Sequence, residues 1–280
     1  AFKTSCDKLI KEQKGVELVT AIIANSGAVF EMEDSNAIEG CFRAIISVIL
    51  RYGEDNGAKN LQDLVTLLCS NKNDDKVRLR LKLLLTIFNL VSNDTNKYST
   101  VMAIFQYALD TKQAADVAAF HNRVVKWCND WSKSGAITLE QTRSLYLLVR
   151  NVLVATPNHA TSEEARNYFL HYLQTFDSNT ALPASATGAA TVDAIVEYCK
   201  TPVDRFDERS SLLRSLSAAQ VAGNDVLSKL RALLVAVCDG TYTDYQAYAS
   251  NSANKAVMTQ YSIDSEQLET NMRVLAVCSL

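Results

Sequence analysis

The stretch Lys76-Val77-Arg78-Leu79-Arg80-Leu81-Lys82-Leu83 decides the fold, because it can be read in two ways. Polar and apolar residues alternate along it, as a half-buried strand requires. The apolar pattern then continues through Leu84, Ile87, Phe88 and Val91. Positions 77, 81, 84, 88 and 91 follow the spacing i, i+4, i+7, i+11 and i+14, which is one face of a helix. Asp74 and Asp75, placed just before it, complement the positive end of a helix dipole. A long helix accounts for more of these residues than a short strand does.

The same period recurs in both directions from this segment. Upstream, Val16, Val19, Ile22 and Ile23 fit one helical face, and Ile38, Phe42, Ile45, Ile46, Ile49 and Leu50 fit another. Downstream, Thr138-Leu139-Glu140-Gln141 and Thr161-Ser162-Glu163-Glu164 have the form of capping boxes, in which a threonine hydroxyl and a carboxyl or amide three residues later satisfy free amides reciprocally. The first opens a helix carrying Leu145, Leu148, Val149 and Val152. The second opens one carrying Ala165, Tyr168, Phe169, Tyr172, Leu173 and Phe176. Thr156-Pro157-Asn158-His159 separates them.

Asp177-Ser178-Asn179-Thr180-Ala181-Leu182-Pro183 is the best boundary, and it divides the chain into regions 1–178 and 179–280. An alanine-rich helix ending at Pro202 follows, then segments 212–221, 226–238, 242–248 and a last one from Asp264 onward. Asn56-Gly57 and Asp239-Gly240 are hairpin-type dipeptides, but each follows a helical pattern and reads as a helix end.

Composition agrees with this. Nine glycines and three prolines in 280 residues are too few for the turns of a sandwich or barrel. With 48% hydrophobic and 21% charged residues, a sizeable core is expected. The predicted class is all-α, a right-handed helical repeat of degenerate helical pairs, or α-solenoid. No fixed repeat length is visible.

A net charge of −3 gives no global basic footprint for nucleic acid. Seven scattered cysteines, none in a C-x-x-C pair, read as reduced core thiols of a cytoplasmic protein. No apolar run spans a bilayer and no signal-peptide pattern is present. Asn93-Asp94-Thr95 matches a glycosylation acceptor by pattern alone. The start at Ala1-Phe2 and the stop within an apolar pattern read as a fragment at both ends.

The search for chemistry finds no convergent site. His121 and Cys128 are seven residues apart on one predicted helix, ~10 Å along its axis, whereas a hydrogen-bonded dyad needs about 3 Å. No metal-ligand spacing and no glycine-rich phosphate loop occurs, so no catalytic residue, cofactor or metal is assigned. Lys76, Arg78, Arg80 and Lys82 are the most concentrated basic group, and read either as a solvated helix edge or as a contact for RNA or an acidic partner. Trp127 and Trp131 suit base stacking or core packing. Tyr242, Tyr245 and Tyr248 suit helix packing or an interface.

Several runs resemble the PCI-domain family, in the branch represented by subunit M of eukaryotic translation initiation factor 3. They are residues 78–90 (RLRLKLLLTIFNL), residues 168–176 (YFLHYLQTF), Trp127 to Trp131, Glu266-Gln267 and Met272-Arg273-Val274-Leu275. The resemblance runs in order from about residue 75 onward. It implies a helical-repeat array leading into the helical part of a PCI module, without the winged helix that normally follows. It also implies a non-catalytic scaffold that binds other PCI and MPN subunits, including F and H, and supports recruitment of the small ribosomal subunit. Ser217-Ala218-Ala219-Gln220-Val221-Ala222-Gly223 stands where that family tends to carry Pro-Val and Leu-Glu-Gly. This departure keeps a PCI subunit of the signalosome or proteasome lid as the alternative, beside a direct RNA-binding module.

Overall fold

The computed structural model describes residues 2–51, 54–73, 75–156, 159–175, 187–206, 209, 212–213 and 225–278. All of their regular structure is helical, and no strand occurs among the described residues. The chain divides into two compact units, Ala1–Tyr168 and Phe169–Leu280. The division falls inside a helix, whereas residues 176–186, around the boundary expected at 178/179, lie outside the described residues.

The first unit contains α1 (Phe2–Lys11), α2 (Gly15–Asn25), a 3-10 segment (Ser26–Glu31), α3 (Ser35–Arg51), α4 (Glu54–Cys69), α5 (Val77–Leu90) and α6 (Asp94–Asp110). It continues with α7 (Ala114–Val117), a 3-10 turn (Ala118–Phe120), α8 (His121–Lys133), α9 (Leu139–Val154) and the start of α10 (His159–Gln174). From α2 to α6 each helix packs on the next and on the next but one, and α6 also packs on α9. The ambiguous stretch is helical as α5, with Leu81, Leu84, Phe88 and Val91 buried. Its apolar face is wider than the spacing indicated, since Leu83 and Ile87 are buried too. The reason is that α3, α4 and α6 all pack against it.

Helix ends follow local chemistry. Thr138 caps α9 as read: its hydroxyl accepts from the Gln141 amide at 3.2 Å, and Gln141 Oε1 accepts from the Thr138 amide at 2.8 Å. Asn93, first met as a glycosylation pattern, caps α6 by accepting from the Asn96 amide at 3.1 Å.

Three local readings differ. α10 begins at His159, so Thr161 stands within its first turn and not at its cap; Ala160, a strong helix former, allows the earlier start. Asn56-Gly57 lies within α4 and does not end a helix. Asp75 directly precedes the Lys76 N-cap of α5, and Asp74 lies outside the described residues. Val16 is exposed, and Leu18 joins Val19 and Ile23 in the buried face of α2.

The second unit contains the rest of α10, then α11 (Thr187–Lys200), α12 (Asp225–Cys238), α13 (Tyr242–Ser250), α14 (Ser252–Gln260) and α15 (Ser265–Cys278). α12 packs on α11, α13 and α14, while α15 packs on α11 and α13. Of the expected segment 212–221, only Leu212 and Leu213 are described. Asp239-Gly240 does end α12: both amides donate to the Val235 carbonyl at 3.0 Å. A Cβ on Gly240 would stand 2.6 Å from the Ala236 carbonyl oxygen, so this turn needs glycine.

Candidate functional site

The four basic residues of α5 do not share an open face. Lys76 donates to the carbonyls of Phe30 and, at 2.7 Å, Met32, tying down the end of the first 3-10 segment. Arg80 is only 5% exposed. Its Nη1 reaches the Leu67 and Leu68 carbonyls at 3.3 and 3.4 Å, and its guanidinium lies 3.7 Å from the Phe30 ring centroid. Those carbonyls belong to the last turn of α4, where the Leu67 carbonyl also accepts from the Ser70 amide at 3.2 Å and the Ser70 hydroxyl at 2.7 Å.

Arg78 and Lys82 face solvent but are engaged. Arg78 Nε is 3.1 Å from Gln113 Oε1 and 3.3 Å from Asp116 Oδ2. Lys82 Nζ is 2.6 Å from Glu39 Oε2, and Arg43 Nη2 is 2.7 Å from the other oxygen. The Lys82 hydrogen bond, reinforced by Arg43, holds the Glu39 carboxyl below its ordinary pKa. A phosphate arriving at this edge competes with carboxylates already in place.

The aromatic pair is stacked, with Trp127 half-buried. Trp127 lies 5.8 Å from Trp131 with 18° between the planes, and 5.0 Å from Phe88. Trp131 is buried, with Tyr98 meeting it edge-on at 6.5 Å.

The tyrosine ladder splits. Tyr245 and Tyr248 are buried, and their hydroxyls donate to the Ser265 and Lys229 carbonyls at 3.0 and 2.9 Å. Burial pushes both phenols up to about 12. Tyr242, half-buried, donates to Glu269 Oε1 at 2.5 Å and accepts from Arg273 Nη2 at 3.2 Å, while Arg273 pairs with Glu269 at 2.7 Å. Of the three, it alone stands at the surface.

The buried thiols are held protonated by desolvation. His121 Nδ1 lies 2.7 Å from the Ala118 carbonyl. Burial pushes the Cys128 thiol up to about 12 and those of Cys69 and Cys238 to about 11. Protonated thiols of this kind are poor nucleophiles. Cys128, Cys199 and Cys238 are core residues as read, whereas Cys41 is exposed and Cys6 and Cys69 are half-buried. Among the described residues there is no cluster of three metal-ligating side chains, and no helix is long and apolar enough to cross a membrane.

One feature of the second unit has no sequence signal. A cleft of about 480 Å³ lies where the end of α12, the start of α13 and one face of α15 meet Tyr198 and Arg209. Its residues come from four separated segments, so no motif marks it.

No protein-family model matches the chain, and no curated protein matches its sequence. The family resemblance rests on the quoted runs.

Proposed function

We propose that the chain is a non-catalytic scaffold subunit of the translation initiation factor 3 complex, working by surface burial. In this reading α2 to α10 form a right-handed repeat of stacked helical pairs, and the later helices form the helical part of a PCI module. The observation that carries it is the packing of each helix from α2 to α6 on its next and next-but-one neighbour, the contact pattern of a helical stack. The polar groups of these seams are spent inside the fold. The surface keeps apolar side chains, among them Leu90, Leu139 and Val154 in the first unit and Val274 and Val277 in the second. Affinity in such surfaces comes from a few anchors and not from total area.

The partners this reading supplies are other PCI and MPN subunits, including F and H, and through them the small ribosomal subunit. Affinity purification from native extract with mass spectrometry tests it. Initiation factor 3 subunits are expected, with recovery reduced by V277D, which places a charge on a side chain that is 71% exposed. Recovery of signalosome or proteasome-lid subunits in their place would sink the assignment. A steep fall in affinity for RNA with salt, removed by neutralising Arg78 and Lys82, would favour the nucleic-acid reading.

A further inference from the structure

The turn between α1 and α2 lacks the chemistry that normally ends one helix and starts the next. Its three residues are Glu12, Gln13 and Lys14. Gln13 stands in the left-handed region at φ 54°, a place that favours glycine. Lys14 is the N-cap of α2, and its side chain makes no capping hydrogen bond. By contrast Asn93, Thr138, Thr241 and Asn251 cap α6, α9, α13 and α14 by accepting from backbone amides. All three turn residues are good helix formers. What holds the turn is local: the Lys14 amide donates to the Leu9 carbonyl at 3.0 Å, and Glu12 pairs with Lys14 at 2.9 Å and with Lys8 at 3.8 Å. Exposed ion pairs of this kind add little.

α1 itself is lightly held. It packs mainly on α2, and none of its described side chains is buried: Cys6 and Leu9 are half-buried and Ile10 is 58% exposed. With residues 12–14 helical, α1 and α2 become one helix from Phe2 to Asn25, about 36 Å long. Gly15 is already helical in α2. Leu9, Val16 and Ile23 then fall at i, i+7 and i+14. Val16, 44% exposed beside the present turn, thereby joins an apolar stripe. In that form α1 no longer reaches its seat on its own α2.

We infer that α1 exchanges between two copies of this chain: the turn opens into a continuous helix, and each α1 packs on the α2 of the other copy. The α1–α2 contacts are the same in both forms, made within a chain in one and between chains in the other. The balance therefore rests on the hinge. Opening relieves the left-handed Gln13 and gives three helix formers a helical backbone, once in each chain. Opposing it is the freedom lost when two molecules become one. The partner is a second copy because its α2 carries the same seat.

The test measures the mass of the whole chain by size-exclusion chromatography with light scattering across a wide range of concentration. A dimer whose fraction rises with concentration is expected. Gln13→Gly, which relaxes the left-handed turn and disfavours the continuous helix, weakens dimerisation at least about tenfold. Lys14→Asp, which gives α2 an N-cap that accepts amides, weakens it about fivefold. Both positions are exposed and both changes raise the thermal midpoint of the monomer, so the test does not depend on a variant that fails to fold. In glutamine-labelled protein the Gln13 Cα resonance has its left-handed value in the monomer and moves to the helical value in the dimer. The inference falls if the chain is monomeric at every concentration, if the dimer is indifferent to both substitutions, or if Gln13 keeps its left-handed shift in the dimer.

Discussion

Both units bury polar side chains between helices, but they treat them differently. In the first, Arg80 ends on the Leu67 and Leu68 carbonyls, and the Tyr107 hydroxyl ends on the Asn71 carbonyl at 2.8 Å. Among the described residues of that unit no buried side-chain polar atom lacks a partner. In the second, Thr191 Oγ1 and Tyr198 Oη have none, and they stand seven residues apart on one face of α11. A buried polar group that is paired specifies which elements meet; one left unpaired carries its desolvation cost without that return. The first unit is thus closed by its polar ties, whereas α11 of the second buries two hydroxyls without them.

Substitutions can break or sharpen that contrast. Trp127 and Trp131 are the two tryptophans of the chain, so tryptophan fluorescence reports the first unit alone. Arg80→Ala is expected to cost about 3 kcal/mol in urea denaturation followed this way, because it takes the side-chain donor from the Leu68 carbonyl and empties a packed site. Arg78→Ala, on a side chain that is 78% exposed, costs under about 0.5 kcal/mol. Equal losses would mean that Arg80 is no tie.

Gly240→Ala forces a Cβ against the Ala236 carbonyl and lowers the stability of the second unit by about 2 kcal/mol. Circular dichroism should detect this with the tryptophan transition unmoved. A shift of both transitions together would show that the units do not unfold independently.

The sharpest comparison makes one chemical change in each unit. Tyr107→Phe loses a satisfied hydrogen bond and costs about 1 kcal/mol; Tyr198→Phe removes an orphan hydroxyl and is neutral or stabilising by about 1 kcal/mol. Two losses of similar size would erase the difference between the units.

The smallest effect is in acid. The folded pKa of Glu39 is depressed, so its pairing with Lys82 stabilises the first unit above the ordinary value of 4.5 and is lost as pH falls through the depressed value. The wild-type midpoint should therefore fall faster than that of Glu39→Gln below pH 4.5. Parallel acid limbs would assign no stability to the pair.

The helices that were legible in the sequence carry a periodic face or a cap: α5, α9 with its Thr138 box, and α12 with its Asp239-Gly240 stop. α14 was not, because only Val257 and Met258 are buried along it and its start depends on Asn251 accepting from two amides. The fate of Arg80 was hidden as well. Charge patterning places an arginine beside an apolar stripe, and only the neighbouring carbonyls and the Phe30 ring draw it inward. The tyrosine ladder predicted a shared role, yet position within α13 separates its members, since Tyr245 and Tyr248 turn inward and Tyr242 stands at the first residue. The cleft was out of reach for a simpler reason: tertiary packing assembles it from segments that carry no common pattern.

The next-but-one packing of α2 to α6 also bears on how this region folds. Apart from the packing of α6 on α9, each of these helices finds its partners within two elements of itself, so few long loops must close before contacts form. Such low contact order favours rapid folding. During synthesis a newly emerged helix meets a surface that its predecessors have already built, and the stack can consolidate progressively while the rest of the chain is still being made.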